Sequence, residues 1–121
     1  MIEIDPIYQE IILDLYRHPH NAGIVENPSA DGEESNPFCG DNIRITLKIK
    51  DGVITEIAHS GQGCAISQAA VSLLTDAVKN KNIADVKNLT AADIITMLGI
   101  PISHTREACA TLGLKILQRI I

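Results

Sequence analysis

The chain has 121 residues, 45% of them hydrophobic, and a formal net charge of -5, and this length suits a single domain over residues 1–121. One Phe, no Trp and no basic run argue against a nucleic-acid partner. No apolar run reaches the ~20 residues that cross a bilayer, and the acidic first residues do not resemble a secretory signal, so we expect a cytoplasmic protein without a membrane partner.

The first predicted element is an amphipathic helix from Asp5 to about Arg17. Asp5 before Pro6 is a helix start signal. The apolar residues that follow keep the three-to-four spacing of one helix face, namely Ile7, Ile11, Ile12 and Leu15. The next stretch, "HPHNAGIVENPSADGEESNP", is rich in Pro and Gly and predicts a long loop with at most a short edge strand. Its His18 and His20 are interpreted as solvated loop residues rather than ligands.

Two antiparallel strands are predicted next. Alternation over residues 43–50 buries one face, which holds Ile43, Ile45, Leu47 and Ile49. The chain turns at Asp51 and Gly52, and a two-residue turn there would set Leu47 opposite Glu56. A three-residue turn over 50–52 keeps one face apolar and is the register we expect. It sets Ile49 by Val53, Leu47 by Thr55 and Ile45 by Ile57. His59 then lies opposite Ile43 as a core-filling histidine.

Three helices are predicted after the strands. The first follows "GQGC" and carries on one side Ile66, Ala69, Ala70, Leu73, Ala77 and Val78. A shorter one opens with a capping box of Thr90 and Asp93 and closes at Gly99 before Pro101. The last begins around 103–106, and its apolar face holds Cys109, Leu112, Ile116, Leu117 and Ile120. Gly113 inside it costs about 1 kcal/mol relative to Ala, which predicts close packing there.

The three cysteines are the candidate functional residues. An odd number cannot all pair in disulfides, which favours metal binding or thiol chemistry over a disulfide framework, with ordinary unpaired cysteines as the alternative. Cys39 and Asp41 are two residues apart in extended chain and can reach one ion. Cys64 lies at a helix amino end, where the dipole favours a thiolate. Cys109 is either a buried structural thiol or a third ligand.

Three thiolates and a carboxylate complete a tetrahedral zinc site or hold the iron of a small sulfur cluster. The segments "RHPHNAG", "NPFCGDNIRI", "GQGCAISQAAVS" and "REACATL" resemble, in order and nearly in spacing, the U-type iron-sulfur cluster scaffold family of IscU, SufU and the NifU amino-terminal domain. The resemblance runs from about Tyr8 to the end. It implies one α+β domain of the SufE/NifU-like type, with a small three-stranded antiparallel sheet, helices packed on one face and an N-terminal helix.

The resemblance also implies the site. Cys39, Asp41, Cys64 and Cys109 match the metal and cluster ligands of that family, and Cys109 matches the cysteine that accepts sulfur as a persulfide from a cysteine desulfurase. The implied cofactor is zinc in the isolated protein, or iron and a [2Fe-2S] cluster. The implied partners are a cysteine desulfurase and the apo iron-sulfur proteins that receive the product.

Two departures leave the branch open. The IscU branch has a histidine where this chain has Ala108, which leaves Asp41 as the natural fourth ligand and is closer to SufU in ligand set. The step from Cys64 to Cys109 is too short for the insertion of the SufU branch. His104 is an alternative fourth ligand if its loop folds back. The chaperone-recognition segment of IscU is replaced by "LGIPISHTR", so no dedicated chaperone partner is expected.

Three functions follow from these residues. The first is a scaffold that receives sulfur and iron, assembles a [2Fe-2S] cluster and releases it; such a protein is a carrier rather than an enzyme. The second is a zinc-bound sulfurtransferase partner of a desulfurase, without cluster building, and loss of the histidine at Ala108 favours it. The third is a zinc-stabilised interaction domain, which the reactive position of Cys64 argues against. No hydrolase arrangement is visible.

Overall fold

The computed structural model describes residues 6–37 and 40–121, and these residues form a three-stranded sheet and five α-helices. The strands are β1 (Ala30–Asn36), β2 (Asp41–Lys50) and β3 (Val53–Gln62). The helices are α1 (Pro6–Arg17), α2 (Ala65–Val78), α3 (Ile83–Lys87), α4 (Ala91–Leu98) and α5 (Glu107–Ile120), and the 3-10 turn His104–Arg106 lies before α5. Among these residues no helix combines the length and apolar character needed to span a membrane.

The sheet is antiparallel in the order β1-β2-β3, so β2 is the central strand. The predicted α+β architecture with its N-terminal helix is therefore confirmed. Helices cover the face that carries the buried side chains Ile43, Ile45 and Leu47. The opposite face carries ion pairs, such as Arg44 with Asp31 at 2.6 Å. The loop predicted to hold at most a short edge strand contains all of β1, whose pairing with β2 no local pattern announces.

The predicted register of β2 and β3 is wrong. The turn has two residues, Asp51 and Gly52, both with positive φ (54° and 74°), as a type I′ hairpin turn requires. A β-bulge then leaves Thr55 without a partner residue in the register, and this extra residue brings Leu47 opposite Ile57 and Ile45 opposite His59. The bulge therefore restores the apolar face that the three-residue turn was invoked to explain.

The predicted start and stop signals agree with the ends of the helices better than the predicted apolar faces agree with the buried residues. The capping box of Thr90 and Asp93 and the left-handed Gly99 bound α4 as expected. In α2 the predicted face is only partly right, because Val71 and Leu74 are buried while Ile66, Leu73 and Ala77 are half-buried. Since α2 lies against α1, α4, α5 and β3, more than one of its sides is covered. The five-residue α3 is an element that the pattern did not predict.

Gly113 marks the close approach of α5 to α2. A β-carbon added there would lie 3.1 Å from Cγ2 of Val71. The predicted packing contact at this glycine is therefore present, and it sets how near the first turns of α5 come to the amino end of α2.

His59 is a buried residue of β3, as predicted, although it pairs with Ile45 rather than Ile43. Its Nε2 donates to the carbonyl oxygen of His20 at 2.8 Å, and Oγ of Ser72 lies 3.4 Å away. Burial lowers the pKa of His59 below its ordinary 6.5, and the carbonyl contact opposes this only in part. The neutral ring thus ties the loop after α1 to the sheet.

We expect protonation of the His59 ring to contribute to the pH dependence of the free energy of unfolding. Because the folded-state pKa lies below 6.5, the unfolded chain binds more protons as the pH falls, so stability is complete above about pH 6.5 and is lost as the pH falls through the folded pKa. Urea unfolding at pH 7.5 and pH 5 should show a smaller loss for His59→Gln than for the parent chain. His18→Gln, at an exposed position, is the control; an equal loss in all three proteins contradicts the prediction.

Candidate metal and sulfur site

Three chemically reactive side chains meet at one end of the sheet. Asp41 is the first residue of β2, Cys64 is the N-cap of α2, and Cys109 lies in the first turn of α5. One carboxylate oxygen and the two Sγ atoms all lie within 4.8 Å of one another. Asp41 and Cys109 are buried, whereas Cys64 is half-buried. The group therefore has one ligand on the solvent side.

The two oxygens of Asp41 have different surroundings. Oδ1 accepts hydrogen bonds from the backbone N–H of Cys64 and from Oγ of Ser67, both at 3.0 Å. Oδ2 is buried and has no hydrogen-bond partner among the described residues. A buried acceptor left open costs roughly 1–3 kcal/mol, so an open carboxylate oxygen beside two sulfurs fits a cation. This donor set of oxygen and thiolate suits zinc or iron.

An extended backbone conformation and a hydrogen bond from Ser67 place Cys64 at the amino end of α2. Its φ and ψ of -71° and 168° are extended, as at other N-caps, and its Sγ accepts from the N–H of Ser67 at 3.5 Å. The preceding Gly63 leaves no room for a β-carbon, which would run into Oγ of Ser67 and Oδ1 of Asp41. Gly61 has φ +116°, and a β-carbon there would meet the backbone of Asn42. The glycines of "GQGC" thus let the chain approach Asp41.

Cys109 has a polar neighbour at the end of β1. Nδ2 of Asn36, the last residue of β1, donates to Sγ of Cys109 at 3.8 Å. Asn36 also lines an open cavity of about 320 Å³ between β1 and α5, together with Ala108, Thr111 and Lys115. The position that carries a histidine in IscU is therefore a methyl group at the wall of a cavity.

The structure brings together three of the four predicted ligands, Asp41, Cys64 and Cys109, while Cys39 lies outside the described residues. The four-residue ligand set stays a prediction. His104 does not join the close group formed by the described residues: its side chain is 98% exposed and lies 3.7 Å from Oε2 of Glu107. The loop histidines are exposed, as interpreted, and Nδ1 of His20 contacts Oδ2 of Asp76 at 2.6 Å.

Sequence reasoning missed two polar residues of the site, Ser67 and Asn36. Ser67 has a signal, because a hydroxyl three residues after an N-cap can reach back to the cap. Asn36 has none, since its place depends on the pairing of β1 with β2, in which Asn36 stands opposite Asp41.

The NifU-like N-terminal domain family matches residues 7–121. The chain belongs to this family. The chain is 31% identical to a zinc-dependent sulfurtransferase SufU of Bacillus subtilis, over 96% of this chain and 90% of that protein. It is 36% identical to an iron-sulfur cluster assembly scaffold protein IscU of Aquifex aeolicus, over 92% of this chain and 71% of the relative. The resemblance found in the sequence is confirmed.

A solved structure supports the fold independently. A SufU protein from Fervidobacterium islandicum AW-1 superimposes with a TM-score of 0.77, covering 94% of this chain and 96% of that chain at 24% identity. At this identity the match concerns the fold alone. This chain therefore shares its sheet and helix arrangement with that protein.

Proposed function

We propose that the chain is an iron-sulfur cluster assembly scaffold that receives sulfur from a cysteine desulfurase, binds iron and a [2Fe-2S] cluster, and passes the cluster to apo-proteins. The observation that carries this proposal is the close group of Asp41, Cys64 and Cys109 with the open Oδ2 of Asp41. The Aquifex relative, named as a scaffold, supports it. In this proposal Cys39 completes the ligand set.

Sulfur arrives on Cys109. Its thiolate attacks the outer sulfur of the donor's cysteine persulfide, so a bond forms between Sγ and that sulfur while the donor's S–S bond breaks. The donor cysteine leaves as a thiolate and takes up a proton, and no oxidant is consumed. Conversion of the transferred sulfur to the sulfide of a cluster needs two electrons per sulfur, which a separate reductant supplies.

A set of ligands that mixes oxygen and sulfur suits a cluster that the protein must release. A carboxylate oxygen is a harder and weaker donor to iron than a thiolate, so Asp41 gives the site one exchangeable corner. Cys64 is half-buried, and a recipient's thiol can reach the site from that side. A closed, fully thiolate site of a structural kind would hold its metal more firmly.

A second candidate is a zinc-bound sulfurtransferase partner of a desulfurase. Ala108 in place of histidine favours it, as does the 31% identity to the Bacillus protein of that name. In this case zinc is resident, Cys39, Asp41, Cys64 and Cys109 hold it, and it fixes the thiols before sulfur arrives. The alignment with the Bacillus protein spans 133 positions, more than the 121 residues of this chain, so that relative carries residues that this chain lacks.

Anaerobic purification followed by reconstitution distinguishes the scaffold from the sulfurtransferase partner. Metal analysis should find iron with acid-labile sulfide in a scaffold and one zinc per chain without sulfide in a sulfur acceptor. Because an expression host can load zinc, the chain is also stripped and incubated with desulfurase, cysteine, ferrous iron and a reductant, and then with apo-ferredoxin. Transfer of a cluster to the ferredoxin supports the scaffold, and persulfide on Cys109 without any cluster supports the sulfurtransferase partner.

Metal removal is expected to lower stability. An ion that binds the folded chain and not the unfolded one stabilises it by about 2.7 kcal/mol at a concentration of 100 Kd, and the open oxygen of Asp41 would be among its ligands here. A chelator should therefore lower the melting temperature of the zinc-loaded protein by several degrees, and added zinc should restore it. A melting curve that does not move on verified zinc removal would count against a metal contribution to stability.

A further inference from the structure

The hairpin formed by β1 and β2 sends one side chain to each of two cysteines. Asn36 and Asp41 stand opposite each other in the register, so both side chains leave the same face of the sheet. Asp41 accepts from the backbone of Cys64, whereas Asn36 donates to the sulfur of Cys109. The backbone of Cys64 and the sulfur of Cys109 are therefore contacted by two different residues of one cross-strand pair. Cys109 is disulfide-bonded in this structure, so its thiol is that of the reduced chain.

Asn36 is suited to holding a sulfur in place. Its side chain is buried, with only 8% of the residue exposed, and its backbone is fixed by the sheet. Nδ2 lies 3.8 Å from Sγ of Cys109, and a thiolate sulfur can accept a hydrogen bond from an amide N–H. Because β1 and α5 are joined by long-range packing, this contact ties the first turn of α5 to the end of the hairpin.

The contact lies at the wall of an open cavity. Asn36 lines this space of about 320 Å³ from the β1 side, and Ala108, Thr111 and Lys115 line it from α5. Ala108 precedes Cys109 and leaves its side of the cavity unfilled. Cys109 itself is buried and does not line the cavity, so a donor persulfide that enters it meets Asn36 and Ala108 before the sulfur of Cys109.

We propose that Asn36 is the positioning residue of Cys109: its amide, at the wall of the cavity, donates to Sγ and holds the reduced sulfur in the place where it accepts sulfur from the donor. This inference rests on the proposed function. In the transfer the Sγ–S bond forms, the donor's S–S bond breaks, and the donor thiolate takes up the proton. The amide stays on Sγ throughout and is not consumed.

Size-matched variants test the donor without uncovering the sulfur. Asn36→Asp keeps the shape and removes the N–H, and Asn36→Leu removes it without adding charge. Asn42→Asp is the matched control, since Asn42 lies on the same hairpin and donates to Oγ of Ser35 instead of a cysteine. All proteins are reduced and kept metal-free with a chelator, so that a new carboxylate cannot act as a ligand, and melting curves confirm that each is folded.

Site-resolved mass spectrometry measures persulfide on Cys109 and Cys64 during incubation with desulfurase and cysteine. Loss of one hydrogen bond to a charged group is expected to slow loading of Cys109 about tenfold in both Asn36 variants and to raise the share on Cys64. The concentration of chain that half-saturates the desulfurase should change little, because only 8% of Asn36 is exposed. Asn42→Asp should stay close to the parent chain.

Alkylation by iodoacetamide without desulfurase provides an arm that does not depend on the proposed function. The ratio of labelling at Cys109 to that at Cys64 should fall in both Asn36 variants and hold in Asn42→Asp. An unchanged ratio in folded Asn36→Asp and Asn36→Leu overturns the inference. If the parent chain takes no sulfur on Cys109 but the alkylation ratio still falls, the acceptor assignment fails while the positioning contact stands.

Discussion

Replacing Cys109 with serine is expected to abolish stimulation of a cysteine desulfurase by this chain. A serine hydroxyl stays protonated near neutral pH and is a poor nucleophile toward a persulfide, so the transfer step has no acceptor. The change of one atom leaves the buried place of Cys109 filled. The desulfurase rate is measured as sulfide or alanine released, with and without each variant, and the gain over the desulfurase alone should disappear.

Cys39→Ser separates the two leading functions in the same assay. Under the scaffold function it blocks cluster assembly but leaves persulfide detectable on Cys109, whereas under the sulfurtransferase function it mainly weakens zinc binding. Mass spectrometry after incubation with desulfurase and cysteine locates the added sulfur. Sulfur on Cys64 or Cys39, with Cys109 unmodified, would overturn the assignment of the acceptor.

Local signals predicted most of the helical structure of this chain. Caps and glycines act over a few residues, so Pro6, the Thr90 capping box and Gly99 placed helix ends that the structure keeps. The register of β2 and β3 failed because alternation alone cannot distinguish a three-residue turn from a two-residue turn followed by a bulge. Both leave one apolar face, and the positive φ of Asp51 was the detail that a sequence pattern did not reveal.

The residues of the site likewise divide into those that local signals indicate and those that tertiary packing brings together. Cys64 and Asp41 could be singled out because a glycine turn, a helix start and a strand start are local features. Their approach to Cys109 depends on how α5 packs on α2 and β1, which no spacing encodes. The residues alone left Cys109 open as a structural thiol or a third ligand, and the family resemblance favoured the ligand. Asn36 could not be found at all, because it lies in the loop-like segment that forms β1, whose pairing with β2 no local pattern indicates.

Two substitutions of Asp41 are expected to separate its two oxygens. Asp41→Asn keeps an acceptor for the N–H of Cys64 and for Oγ of Ser67, and places an amide nitrogen, which has no lone pair to donate, where Oδ2 was. Asp41→Ala removes both oxygens. We expect both variants to lose zinc affinity by at least the roughly tenfold that loss of a supporting residue costs at metal sites.

Metal-free stability should move in different directions in the two variants. Asp41→Ala leaves a buried N–H and a buried hydroxyl of Ser67 without their shared acceptor and should destabilise the chain by about 1–3 kcal/mol. Asp41→Asn keeps those bonds and replaces a buried, uncompensated negative charge with a neutral amide, which costs less to bury, so the metal-free chain should be at least as stable as the parent. Urea unfolding in chelator measures both, with Ser67→Ala as a control that keeps the carboxylate.

The same pair decides what Asp41 contributes to the release of a cluster. If its oxygen is the exchangeable corner of the site, both variants should slow transfer to apo-ferredoxin, since a cluster without that corner is displaced less readily. Because Asp41→Asn preserves the fold around Cys64, slow transfer in this variant cannot come from a damaged helix start. Unchanged transfer and unchanged zinc affinity in Asp41→Asn would show that Asp41 serves only to cap α2 and begin β2.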